Sequence, residues 1–113
     1  MAACERGYIC AVCGRDVEEI HESDLYLRYV LGEVKVDQLD RLPERHIRCD
    51  PPLAQFIVAE GFAPVVVEGG PFSKADLDPQ FVADEERRVT RGFMRLKELA
   101  ARDVLIWDYP MKD

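Results

Sequence analysis

The chain has 113 residues and carries 15 basic against 22 acidic side chains, which gives a formal net charge of −7. This is the length of one domain, and a hydrophobic content of 48% is enough for a core, which argues against disorder along the whole chain. No apolar run approaches the ~20 residues of a membrane helix, so no membrane association is predicted. The negative charge disfavours general nucleic-acid binding, because that affinity comes from neutralising phosphates.

The first predicted element is a metal-binding turn between two short strands in residues 7–20. Cys10 and Cys13 form a CxxC pair that is followed at once by Gly14. The glycine lets the backbone turn back, so that its N–H groups can point toward sulfur. A redox CxxC normally opens a helix, and a glycine at this position would weaken a helix. The pair therefore indicates one arm of a metal site, that is, one of two turns that each contribute a pair of ligands.

The next segment, residues 23–34, is compatible with two predictions. Ser23 is a suitable N-cap for a helix that Gly32 would end. The leucine and tyrosine residues between them also alternate, as they do in a half-buried strand. We favour the helix and keep the strand as the alternative.

A second pair of ligand-type residues, His46 and Cys49, has HxxC spacing. Three thiolates and one imidazole in two close pairs suit zinc, which prefers closed tetrahedral coordination in structural sites. We predict one structural Zn²⁺ held by Cys10, Cys13, His46 and Cys49. No catalytic residue and no residue for another cofactor is predicted.

Two further residues compete for a place in this site. Cys4 lies close to the beginning of the chain and could replace the histidine as fourth ligand, although a free thiol is the preferred interpretation. His21 lies in the acidic segment 18–22, which could hold a cation, and a solvated face is the preferred interpretation there.

The sequence Asp-Pro-Pro at residues 50–52 predicts a helix start directly after the second pair. This helix would extend from Pro51 to about Glu60 and end at Gly61. Its N-terminus would face the negatively charged site, which is electrostatically favourable.

The second half, residues 62–109, is predicted as strand, helix and strand. A short buried strand is expected at residues 62–68, followed by a turn at residues 69–71. A helix over residues 78–102 carries apolar residues at helical spacing. A last strand at residues 104–107 would pair with the first. The predicted fold is thus a small single α+β domain over residues 1–113. It has a structural zinc knuckle in its N-terminal half, within subregion 7–60. In its C-terminal half, subregion 62–109, a long helix packs on a short sheet.

The CxxCG pair, combined with an HxxC pair just before a helix, resembles the two ligand arms of treble-clef and zinc-ribbon-like modules. Many small bacterial proteins carry such a site. The resemblance covers roughly residues 7–60 and implies a structural metal and, often, a binding role. A treble clef has a β-hairpin between its ligand pairs, and residues 20–45 contain no clear hairpin turn.

These features predict a non-enzymatic zinc-binding protein that presents a surface to a protein partner. A metal is an effective staple for a domain of this size. A small zinc enzyme is less favoured, because four ligands in two tight pairs leave no open coordination position. Oxidation of Cys10 and Cys13 with release of the metal is a further hypothesis.

A nucleic-acid-associated zinc-ribbon-like protein is the main alternative. Two groups of basic residues support it, one beside the site and one along the long helix: Arg41, Arg45, His46 and Arg48, and Arg88, Arg91, Arg95 and Arg102. Interleaved acidic residues favour a solvated face for both groups.

Two further predictions concern location and assembly. The absence of an apolar segment at the beginning of the chain, together with cysteines spaced for a metal, predicts a cytoplasmic protein. A homodimer through Val89, Phe93 and Leu96 is also considered.

Overall fold

The computed structural model describes residues 8–39, 41–67, 73–102, 105 and 108–110. Its strands and α-helices are β1 (Tyr8–Ile9), β2 (Asp16–Val17), α1 (Asp24–Val30), α2 (Pro51–Ala54) and α3 (Pro79–Ala100). Short 3-10 helices lie at Ile20–Glu22, Val36–Gln38, Ile47–Cys49 and Lys74–Asp76. The predictions for Cys4, for the turn at residues 69–71 and for residues 104, 106 and 107 fall outside the described residues.

The predicted strand–turn–strand at the first ligand pair is confirmed. β1 and β2 are antiparallel, with Tyr8 opposite Val17 and Ile9 opposite Asp16. Gly14 closes the turn at φ +78, in the left-handed region that residues with a Cβ rarely adopt. The glycine after the CxxC pair is therefore required by the backbone itself.

The helix favoured for residues 23–34 is confirmed as α1, and the strand alternative is wrong. Ser23 caps it, since its Oγ accepts a hydrogen bond from the backbone N–H of Tyr26 at 3.1 Å. Every residue of α1 except Arg28 is buried. A helix buried on nearly all sides needs apolar residues at almost every position, and this is why its sequence also resembles a strand.

A buried ion-pair network joins α1 to the chain segment before the second ligand pair. The Asp24 carboxylate, which is 0% exposed, contacts Arg28 Nε at 2.9 Å and Arg45 Nε at 2.8 Å. Arg45 also reaches Asp50 at 3.2 Å. A buried carboxylate is costly without cationic partners, so Asp24 and its two arginines hold one another in place.

The helix predicted over residues 51–60 is wrong in length, because α2 ends at Ala54. Beyond it, the hydroxyl of Thr90 on α3 donates to the carbonyl of Phe56 at 3.1 Å and accepts from the N–H of Val58 at 2.8 Å. Contact with α3 thus satisfies backbone groups that a longer helix would have paired internally.

The long helix predicted over residues 78–102 is confirmed as α3. Asp78 caps it, with its side chain accepting from the N–H of Phe81 at 3.0 Å. Its buried face comprises Val89, Gly92, Phe93, Leu96 and Leu99. The stripe considered for a homodimer is part of this face, so its side chains are buried within their own chain.

The sheet predicted under α3 is not supported. Among the described residues of the two expected strands, none is in a strand, Val66 is 72% exposed and Leu105 is 66% exposed. Pro64 lacks an N–H for a strand ladder; of the valines after it, Val65 is half-buried against the core whereas Val66 is exposed.

Instead, α3 packs against α1, and the described part of the molecule is mostly helical. A Cβ placed on Gly92 would lie 2.5 Å from Leu31 Cδ2, just beyond the end of α1, so the two helices approach closely. Phe62 and Phe93 form an edge-to-face pair with centroids 4.9 Å apart. Within the described ranges, no helix is both long and apolar enough to cross a membrane.

Candidate metal centre

The structure brings the four predicted ligands together. The donor atoms of Cys10, Cys13, His46 and Cys49 all lie within 4.8 Å of one another, a spacing that could hold one metal ion. His46 Nδ1 is 3.4 Å from Cys13 Sγ and 3.8 Å from Cys49 Sγ. Two segments far apart in the sequence thus converge with four donors, and His21 is not among them.

The first arm is the turn between β1 and β2. Cys10 is 1% exposed, and its sulfur accepts backbone N–H groups of Val12 at 3.4 Å and Cys13 at 3.5 Å. A third N–H, from His46 at 3.4 Å, comes from the other arm. The turn therefore directs N–H groups at the sulfur of Cys10, as we predicted from Gly14. These groups would compensate the charge of a metal-bound thiolate.

The second arm is the 3-10 turn Ile47–Cys49. The N–H of Cys49 donates to the carbonyl of His46 at 2.9 Å, which places both side chains on the same side of the turn. The helix that follows is only four residues long. The helix start at the second pair is confirmed, whereas the long helix with its favourable dipole is not present.

Hydrogen bonding identifies which nitrogen of His46 faces the thiols as an acceptor. His46 Nε2 is 2.9 Å from the backbone carbonyl oxygen of Asp16 in β2. A carbonyl only accepts, so Nε2 carries the proton and Nδ1 presents its lone pair to the cluster. This second contact orients the ring, as is usual for histidines that bind metals.

Other hydrogen bonds dock the two arms on each other and on α1. The N–H of Ala11 donates to the carbonyl of Glu44 at 2.8 Å, and the N–H of Asp24 donates to the carbonyl of Arg45 at 2.9 Å. The buried carboxylate of Glu44 accepts from the Ser23 hydroxyl at 2.6 Å. The two bonds to main-chain carbonyls could not be predicted, since main-chain carbonyls leave no signal in the sequence.

The pKa values of two of the thiols, Cys10 and Cys49, shift in opposite directions. Burial raises the pKa of Cys10, but the N–H donors of Cys13, His46 and Val12 outweigh it, and the pKa falls to about 6. Burial raises the pKa of Cys49 to about 11, with further contributions from the neighbouring Cys10 and Cys13. Negative charge already accumulates at Cys10, so a second thiolate nearby is unfavourable without a cation.

A groove of about 1220 Å³ opens beside the cluster. Its lining includes Cys13 and Cys49 together with Arg48, Phe62 and Lys97. The Arg48 guanidinium lies 5.1 Å from the centroid of the Phe62 ring, and its Nη1 donates to the carbonyl of Ala63. His21 also lines this groove, outside the cluster itself.

Comparisons with protein-family models, with curated proteins and with solved structures find no match to this chain.

Proposed function

We propose that this chain is a non-enzymatic zinc-binding protein, in which one zinc ion is structural and the folded surface serves to bind a protein partner. The observation that carries the proposal is the convergence of three sulfurs and the Nδ1 of His46 within 4.8 Å. The treble-clef-like character of the two ligand arms and a cytoplasmic location belong to the same proposal.

The donor set supports zinc over other metals. Thiolate ligands disfavour magnesium and calcium, which prefer oxygen, and a tetrahedral set of three sulfurs and one nitrogen matches structural zinc. Three thiolates around a dication leave one net negative charge, which the N–H donors to Cys10 Sγ would partly offset.

The arrangement supports a structural role over a catalytic one. Four protein donors fill a tetrahedral shell, whereas catalytic zinc usually keeps one position for water or substrate. Each ligand is also held by local backbone contacts, at the turn before Gly14 and at the turn Ile47–Cys49. The metal would therefore join β1 and β2 to the segment that leads into α2.

A protein partner fits the surface charge better than a nucleic acid. Several arginines of the two basic groups are engaged inside the molecule. Arg45 pairs with Asp24 and Asp50, and Arg88 pairs with Glu85 and Glu33. Engaged guanidinium groups contribute little to phosphate binding, and the net charge of −7 opposes a polyanion.

The test is metal content followed by metal removal. Protein purified without added metal should contain one zinc per chain, and a strong chelator should remove the protection of amide protons in residues 8–22 from exchange. Protein without zinc, or protein whose fold survives removal of zinc unchanged, would contradict the structural role. Binding to random RNA at physiological salt would favour the nucleic-acid alternative.

A further inference from the structure

Within the cluster, the three thiols differ in how open they are to a reagent in solution. Cys10 is 1% exposed, Cys49 is half-buried and Cys13 is exposed. Cys13 and Cys49 also line the groove beside the cluster. A small electrophile that enters this groove therefore meets these two sulfurs and not the third.

Hydrogen bonding separates the same two thiols from Cys10. Cys10 Sγ accepts three backbone N–H groups, two from its own turn and one from His46. Moving this sulfur into a disulfide would break those bonds and detach the turn from the second arm. Among the described residues, neither Cys13 Sγ nor Cys49 Sγ accepts a backbone N–H group, and they lie 3.4 Å and 3.8 Å from the Nδ1 of His46.

We propose that Cys13 and Cys49 form a peroxide-reactive pair, whose oxidation to a disulfide expels the zinc ion and leaves Cys10 reduced. The proposal rests on the proposed zinc site. It also differs from the expectation drawn from the CxxC spacing, which paired Cys10 with Cys13.

The chemistry balances with hydrogen peroxide as the oxidant. The Cys13 thiolate attacks one peroxide oxygen, the O–O bond breaks, hydroxide leaves and a sulfenic acid forms. The Cys49 thiolate then attacks the Cys13 sulfur, forms the S–S bond and displaces a second hydroxide. Two thiolates lose two electrons in total, and peroxide is reduced by two electrons.

The product would retain a link between the two arms. Zinc loses two of its four ligands, and the remaining Cys10 and His46 cannot complete a tetrahedron. The new disulfide joins the same two segments that the metal joined, so the turn stays attached to the second arm. Reduction in the presence of zinc should restore the original site.

The experiment uses the full chain with Cys4→Ser, which removes the fourth cysteine as a competing thiol. The zinc-loaded protein is treated with increasing hydrogen peroxide, quenched with catalase and alkylated under denaturing conditions. Disulfides are mapped by fragmentation mass spectrometry, because Cys10 and Cys13 fall in one tryptic peptide that ends at Arg15. A chromophoric chelator reports released zinc in the same samples.

We expect the Cys13–Cys49 peptide in roughly tenfold excess over Cys10–Cys13, in step with zinc release, and alkylated Cys10. Dithiothreitol with zinc sulfate should return one zinc per chain. A predominant Cys10–Cys13 disulfide, or oxidised Cys13 with zinc retained, would overturn the proposal.

A chain that holds no zinc before oxidation would contradict the proposed function instead. The pairing is then mapped on the metal-free chain, where a predominant Cys13–Cys49 link still supports the reactive pair and a predominant Cys10–Cys13 link overturns it.

Discussion

Two regions of the molecule are held together in different ways: the turn between β1 and β2, and the helical region formed by α1 and α3. Between Ile9 and Val17, Cys10 and Val17 are the buried side chains, and the apolar Ile9 and Val12 are more than half exposed. In α1, by contrast, every residue except Arg28 is buried. A segment with so little buried apolar surface needs another source of stability, and the zinc ion that we propose would supply it.

This difference between the turn and the helical region predicts that loss of a ligand and damage to the core have separable effects. A ligand substitution should loosen the turn between β1 and β2 and leave the packing of α1 on α3 largely intact. A core substitution should lower the free energy of unfolding of the helices without removing a metal ligand. Four substitutions test this separation; Cys49→Ser should cost the most and the two glycine substitutions the least.

Cys49→Ser should have the largest effect. It removes one of four donors, and structural zinc contributes roughly 10 kcal/mol or more of apparent folding free energy. We expect zinc per chain to fall from one to none, and amide protons in residues 8–22 to lose their protection from exchange. Cys4→Ser is the matched control and should change neither. Full protection of residues 8–22 in the metal-free variant would show that the turn between β1 and β2 does not depend on a metal.

Asp24→Asn should destabilise the junction between α1 and the segment that precedes the second ligand pair. The substitution removes the negative charge that Arg28 and Arg45 share, but both arginines are partly exposed, so the expected loss is that of a hydrogen bond to a charged group, about 1.5–3 kcal/mol. Urea denaturation measures the loss. The control is Asp84→Asn in the exposed pair with Arg87, which should change the free energy of unfolding by less than about 1 kcal/mol. Equal losses of unfolding free energy at the two positions would show that the buried network stabilises the fold no more than an exposed ion pair does.

Gly92→Ala should act on the helical region alone. The added Cβ would lie 2.5 Å from Leu31 Cδ2, and overpacking of this kind typically costs about 1–3 kcal/mol, of which the higher helix propensity of alanine offsets about 1 kcal/mol. Zinc content should stay at one per chain. The double variant with Leu31→Ala relieves the contact, so its loss of stability should be smaller than the sum of the two single losses. Strict additivity would argue against close approach of the helices.

Gly14→Ala is the same substitution in the turn between β1 and β2, where backbone strain is the cause of the loss. No atom lies within 4 Å of the new Cβ, but φ is +78, which costs roughly 1–2 kcal/mol for a residue other than glycine. We expect weaker zinc affinity in a competition titration and unchanged melting of the helices. Gly14→Asn should lose less, because asparagine tolerates this conformation better. An equal loss for both variants would show that backbone strain is not the cause.

Much of the candidate site could be predicted, because its signals are local. Each ligand pair is contained in a single turn, and the glycine after Cys13 is required by the left-handed backbone at that position. The caps of α1 and α3 were predictable for the same reason, since Ser23 and Asp78 bond to N–H groups three residues ahead. Short-range hydrogen bonds leave a pattern in the sequence that tertiary contacts do not.

Other features of the fold could not be predicted, because the residues that determine them are distant in the chain. Thr90 on α3 captures the backbone after Ala54 and shortens α2, and α1 takes the place expected for a sheet beneath α3. The carbonyl of Asp16 fixes the proton of His46.

The same distinction applies to the four donors. Ligand type and spacing, both properties of the sequence, determine which side chains could bind a metal. The enclosure of Cys10 and the openness of Cys13 come from the fold alone, since burial depends on what packs around a sulfur and not on its neighbours in the sequence.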